Sequence, residues 1–195
     1  MNVLVIPEDF RNDQYILKPI VQAMMTAVGQ PRAAVRVCQD PRLGSVARAT
    51  NWGRIQDIIS RYRFRVDLFL LCIDRDGDSN RRASLDHLER QAAETLPSDK
   101  LFLAEHAWQE IEAWALAGQD LPADWSWSAI RAEPNPKERY FLPFAERRGL
   151  VDEPAQGRRT LAEEAAQRYA RIRQLCPEDV AALEQRVRDW LRDRR

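Results

Sequence analysis

The sequence predicts an α/β protein, an open and mainly parallel four-stranded sheet flanked by helices, with a C-terminal helical appendage. Two observations carry this. Four short apolar segments (Val3–Ile6, Ala34–Cys38, Leu68–Asp74 and Lys100–Ala104) alternate with helical patterns over roughly the first 117 residues, the signature of strands joined by helical crossovers. The third segment, Leu68-Phe69-Leu70-Leu71-Cys72-Ile73, is apolar without alternation, as a strand buried on both faces must be.

Each element follows from local pattern. After the first strand, Ile16, Ile20, Ala23, Met24 and Ala27 recur at helical spacing, with Pro19 in the first turn and Gly29 and Pro31 as stops. Residues 39–53 read as a loop, and Arg54–Arg61 as a short helix. Ser79 is placed to cap a helix carrying Leu85, Leu88 and Ala92, which Pro97 ends. A helix then covers about Ala107–Ala117. Residues 119–159, with five prolines and Trp125 and Trp127, read as an irregular connection. Thr160-x-x-Glu163 has the form of a capping box opening a helix to about Leu175, and Pro177 opens a last helix with Val180, Leu183, Val187, Trp190 and Leu191 on one face. The expected division is a sheet domain over 1–118, the connection over 119–159, and a helical pair over 160–195.

Composition narrows the function. The formal charge is zero, so nucleic-acid affinity must come from local patches. Residues 30–66 hold eight arginines against Asp40 and Asp57, and residues 67–124 hold thirteen acids against five bases. The basic stretch carries Trp52, Tyr62 and Phe64, a combination suited to phosphates and bases. Its expected nucleic-acid contacts are Arg48, Arg54, Arg61 and Arg63. Three cysteines, two of them in apolar runs, fit reduced thiols and a cytoplasmic location. No run approaches a membrane span. Two histidines and no Cys-x-x-Cys speak against zinc.

The chemistry is concentrated at strand ends. Asp74-Arg75-Asp76-Gly77-Asp78 follows the third strand directly. Carboxylates so crowded repel one another, and hard oxygens select Mg²⁺ or Mn²⁺. Glu8 and Glu105 also lie just past predicted strand ends, the edge where ligands sit in open parallel sheets. On the helix expected at 107–117, Glu112 falls inside the apolar arc of Trp108, Ile111, Ala115 and Leu116, whereas Glu110 faces the opposite, solvated side. A carboxylate on an apolar stripe needs a metal or a cationic partner. Asp13 reads as a helix-dipole residue, and His106 as a base, a ligand or an ordinary hydrogen-bonded histidine. An EF-hand is excluded, because its sixth and twelfth positions would be Ser79 and Leu85. A phosphotransferase of the haloacid-dehalogenase type, or a plain acidic turn capping the next helix, remains open.

Glu8 after the first strand and Asp74/Asp76 after the third resemble the toprim fold of topoisomerases and primases. Pro7-Glu8-Asp9 through Asp13-Gln14-Tyr15-Ile16-Leu17-Lys18-Pro19, and Glu110-Ile111-Glu112-Ala113-Trp114, resemble small stand-alone toprim proteins related to the nuclease part of the overcoming-lysogenisation-defect family. The resemblance covers about residues 1–118. It implies a Mg²⁺- or Mn²⁺-dependent nuclease, in a setting such as bacterial anti-phage defence. Asp74 and Asp76 would hold the metal with Asp78 in support, Glu8 would act as general base or bind a second metal, and Glu112 or Glu105 would complete the shell. Asp9 stands where many relatives have Gly, and the downstream cation of such nucleases has three candidates, Lys137, Arg158 and Arg159. The alternatives are a partner-dependent effector subunit, docking a protein such as an ATPase through Trp125, Trp127 and Trp190, and a small-molecule phosphatase.

Overall fold

The computed structural model describes residues 1–194. Strands β1 (Asn2–Pro7), β2 (Ala34–Val37), β3 (Leu68–Asp74) and β4 (Leu101–Ala107) form one parallel sheet in the order β2-β1-β3-β4. The helices are α1 (Phe10–Ala27), α2 (Val46–Ala49), α3 (Trp52–Tyr62), α4 (Arg81–Thr95), α5 (Glu112–Ala117), α6 (Trp127–Ala132), α7 (Leu142–Arg147), α8 (Arg158–Gln167), α9 (Tyr169–Leu175) and α10 (Ala182–Asp193). Single π-helical turns at Lys137–Phe141 and Pro177–Ala181 lead into α7 and α10.

Strand alternation divides the core. Phe69, Leu71 and Ile73 of β3 pack with Leu4, Ile6 and the apolar faces of α3 and α4. Leu68, Leu70 and Cys72 point the other way, into α1, α5 and the C-terminal helices. The C-terminal appendage is therefore the second layer of the sheet, continuous with its core. The connection read as irregular holds α6 and α7, with Phe141 and Phe144 buried beneath them.

Several boundaries move. β4 runs on to Ala107, and Trp108–Ile111 turn before α5 begins at Glu112. The helix read from Ala107 is thus strand, turn and a six-residue helix. Asn80, not Ser79, precedes α4, and its N–H donates to Asp78 Oδ1 at 2.8 Å. The capping box does not form: α8 starts at Arg158 behind the left-handed Gly157, and the Thr160 hydroxyl donates to Glu153 instead. The helix read from 160 to 175 breaks at Arg168 into α8 and α9.

The β4 edge is closed by side chains. Glu89 accepts from the Ala104 N–H at 2.7 Å, and Arg82 and Arg186 donate to the Ala104 carbonyl. Both arginines also bind Glu105 and Glu89. The Ala104 main-chain groups, which would otherwise help template another strand, are thereby occupied. The β2 edge has no such cover among the described residues. No helix is long and apolar enough to cross a membrane.

Within this second layer, α5 ends tightly against α8. A Cβ on Gly118 would lie 2.4 Å from the Ala165 Cα, a backbone atom that cannot yield. Gly118→Ala must push α5 from α8, and the expected loss is about 1–3 kcal/mol, read as a lower urea midpoint at unchanged m-value.

Candidate metal centre at the carboxyl edge of the sheet

In-register pairing of β1 with β3 places Pro7 beside Cys72, so the chain leaves both strands at the same edge. The carboxylate of Glu8 there faces the backbone N–H groups of Asp74 and Val46. Sixty-six positions of sequence thus separate two neighbours. After Asp74 the chain turns back through Asp76 and Gly77, both left-handed (φ 51° and 69°), with the Asp78 N–H closing onto the Arg75 carbonyl at 3.0 Å. Asp-Gly suits this geometry because Asp tolerates the left-handed region and Gly occupies it freely. The turn is tied to the β4 exit, since Arg75 and Asp76 donate to the Gln109 carbonyl and the Ile111 N–H donates to Asp74 Oδ1 at 2.8 Å.

Glu112 and Asp13 complete the cluster from the layer side. Glu112 is almost fully buried, and its Oε1 accepts from Arg158 Nε at 3.0 Å and Nη2 at 2.6 Å. Arg158 is itself buried and satisfied by the Ala155 carbonyl and Gln156. Glu112 therefore has the paired arginine and also faces the acidic centre, where its charge acts on both Asp74 and Asp13. Asp13 is buried and accepts from the Asp9 N–H at 2.8 Å. It serves the helix start, as read, and it belongs to the cluster, which the sequence reading did not recognise. Its clue is spacing: Asp13 shares a stripe with Ile16, Leu17 and Ile20, the argument that singled out Glu112.

The electrostatics follow from crowding. Burial, then the charges of Glu112 and Asp13, hold Asp74 well above the usual carboxylate range against the pull of the Ile111 N–H. Burial, then Glu112, Asp9 and Glu8, push Asp13 up to about 8. Glu8 is raised by burial and by Asp76, while the Asp74 N–H and Arg81 pull it down. Arg81, buried at the start of α4, lies 4.0 Å from Asp76 and 3.7 Å from Asp78. Arg81 and Arg158 thus bracket the carboxylates from opposite layers.

Other expected residues lie elsewhere. Glu105 is buried between Arg82 and Arg186 at the β4 edge and does not join the cluster. Asp78 accepts from the Asn80 N–H at the α4 entry and faces Arg81. Glu110 is not solvated: it accepts from the Lys137 N–H at 2.7 Å and is pushed to about 7, chiefly by burial. His106 is buried and its Nδ1 meets the Ala107 carbonyl. The four arginines separate. Arg48 lies on α2, which begins at the Val46 that faces Glu8, and Arg54 lies in the first turn of α3. Arg61 is held by Asp57 and Asp40, and Arg63 lies in the loop entering β3, about 20 Å of strand from Asp74.

The three downstream cations also separate. Arg158 is committed to Glu112, and exposed Arg159 pairs with Glu163. Lys137 opens the π-turn next to Glu110, its ammonium 3.3 Å from Glu138. Burial works against its charge, but Glu138, Glu112 and Glu110 outweigh that and raise its pKa.

Among the described residues, no three His, Cys, Asp or Glu side chains stand close enough to enclose a metal alone. The donor set nonetheless fits Mg²⁺, which keeps several waters and is held by one or two carboxylates. Asp74 Oδ2 takes no hydrogen bond among the described residues, Asp76 has only its long contact to Arg81, and the buried Glu8 Oε2 is unpartnered.

Asp13 sets a pH dependence. Its pKa is raised on folding, so the neutral acid is the favoured native form. Its contribution to stability is full below about pH 4 and is lost as pH rises toward 8. Asp13→Asn keeps the acceptor for the Asp9 N–H and removes the charge. Its melting temperature should exceed that of the wild type at pH 8 and match it near pH 4, and Mg²⁺ should narrow the gap at pH 8. Searches of protein-family models, curated proteins and solved structures find no match, so the chemistry of this edge rests on the residues that build it.

Proposed function

We propose that the chain is a Mg²⁺- or Mn²⁺-dependent phosphoryl-transfer enzyme acting on nucleic acid, a nuclease of the toprim type. The observation that carries this reading is the convergence of Glu8, Asp13, Asp74 and Glu112 from β1, α1, β3 and α5 at one edge, where burial and their mutual charge hold Asp74 well above the usual carboxylate range, a cost that a cation would offset. Asp74 and Asp76 would hold the ion. A divalent cation there supplies charge neutralisation for an anionic phosphate and acidity for bound water.

The protein's own groups do the rest. Glu8 has a free oxygen and a raised pKa, which suit it to take a proton from attacking water. Glu112, held by Arg158, raises the basicity of Asp74 and Asp13. Lys137, near Glu110 and Glu112, would meet charge on the transferred phosphate. Arg48, on the helix that begins at Val46, and Arg54 would meet the substrate backbone.

The three tryptophans of the effector reading are half-buried. Trp125 packs edge-on against Tyr140, Trp127 donates to the Leu175 carbonyl, and Trp190 packs on the core. All three are used inside the C-terminal layer.

In the test, the purified chain is incubated with single- and double-stranded DNA and RNA, and with nucleoside phosphates, under Mg²⁺, Mn²⁺ or EDTA. Cation-dependent cleavage of polynucleotide is expected. Asp74→Asn should abolish it with the fold retained, and Lys137→Met should lower kcat by about 100-fold or more. Hydrolysis confined to nucleoside phosphates would point to a phosphatase, and absence of all cation-dependent hydrolysis would overturn the reading.

A further inference from the structure

Two clefts meet on the solvent side of α1. One, of about 410 Å³, lies between α1 and α8 and is lined by Gln14, Tyr15, Lys18 and Arg159, together with Glu163. The other, of about 340 Å³, lies between α1 and the open β2 edge and is lined by Gln14, Lys18, Arg36 and Tyr62. Gln14 and Lys18 belong to both, one helical turn apart on the same face. The ridge they form starts next to Asp13, a member of the carboxylate cluster.

The charge on this path is positive, and two of its three cations are uncommitted. Lys18 and Arg36 are exposed and make no salt bridge among the described residues. Glu163 is the single acid in either lining and is paired with Arg159 at 2.9 Å. This contrasts with the β4 edge, where Arg82 and Arg186 are both consumed by Glu89 and Glu105. Parallel pairing through Ala34 and Cys38 turns the N–H and C=O groups of Val35 and Val37 outward, toward the second cleft. Tyr15 and Tyr62 are half-buried, and the Tyr62 hydroxyl is anchored on the Asp40 carbonyl, which fixes its ring. Cations with glutamine and main-chain donors suit phosphates, and fixed tyrosine rings suit unpaired bases, which alone expose a face for stacking.

We infer that a single nucleic-acid strand lies across α1, from the β2 edge past Arg36 and Lys18 to Arg159, and so enters the carboxylate edge beside Asp13. The inference rests on the nuclease reading and names its substrate path. A second copy of this chain is the poorer occupant, since pairing β2 with itself would set Lys18 and Arg36 against their own like charges. An acidic extended peptide is an outcome of the test.

The test is fluorescence anisotropy of a labelled single-stranded oligonucleotide at low salt with Mg²⁺, on the full chain. Lys18→Ala/Arg36→Ala should weaken binding at least tenfold and flatten the log K against log salt slope by about 1.4, two phosphate contacts at about 0.7 each. A duplex of the same length should bind less tightly and depend less on these residues. Unchanged affinity and slope in the double variant would overturn the path. So would equal binding of the duplex, or equal competition by polyglutamate of matched charge. Asp74→Asn should retain strand binding while losing cleavage. Binding without cleavage in the wild type would therefore remove the nuclease and leave the path, whereas cleavage indifferent to Lys18 and Arg36 would remove the path and leave the nuclease. No binding by the wild type at low salt would remove the path outright.

Discussion

Glu112 carries its charge into a nearly dry corner because the Arg158 guanidinium is already there, and the chemistry of the carboxylate edge depends on that pair. A buried carboxylate without a partner protonates. Arg158 donates twice to Oε1, and the field of Glu112 is felt by Asp74 and Asp13. The parallel sheet adds Glu8 and Asp76 at the same place, because every strand of such a sheet ends at one edge. The outcome is a site too acidic to be fully ionised by itself, with Arg81 its only buried counter-charge from the other layer among the described residues.

This gives the C-terminal layer a role beyond covering the sheet. α8 brings Arg158, and the π-turn before α7 brings Lys137 to Glu110 and Glu112. Asp179 fastens the layer to the β4 exit. Fully buried, it accepts from the Trp108 N–H, the Trp114 indole and Arg131. Trp108 in turn carries Arg75 of the aspartate loop on its ring at 4.4 Å. Sheet edge, aspartate loop and outer helices are thus held as one piece, and the position of Lys137 is set by the same contacts that bury the core.

The strands were legible because burial on two faces leaves little choice of residue: β3 reads as a strand from its apolar run alone. Glu8, Asp74 and Asp76 were legible as strand-end acids, and Glu112 as a charge on an apolar stripe. The turn at Trp108–Ile111 was not, because its apolar spacing imitates a helix while bonds to Arg75, Asp76 and Asp74, more than thirty residues away, decide its course. Asp13 was passed over because a first-turn acid already has an ordinary reading. Glu105 looked identical to Glu8 in sequence; arginines from α4 and α10, remote in the chain, take it away. The helices of 119–159 were masked by prolines that occupy helix starts, as Pro143 does in α7.

The central claim is that the acidic edge holds protons that a divalent cation replaces. Titration calorimetry of Mg²⁺ into the protein near pH 7, repeated in buffers of different ionisation enthalpy, counts those protons directly. The account predicts saturable binding with release of roughly one to two protons per cation, reduced in Asp74→Asn. Binding without proton release, or no binding at all, would contradict it.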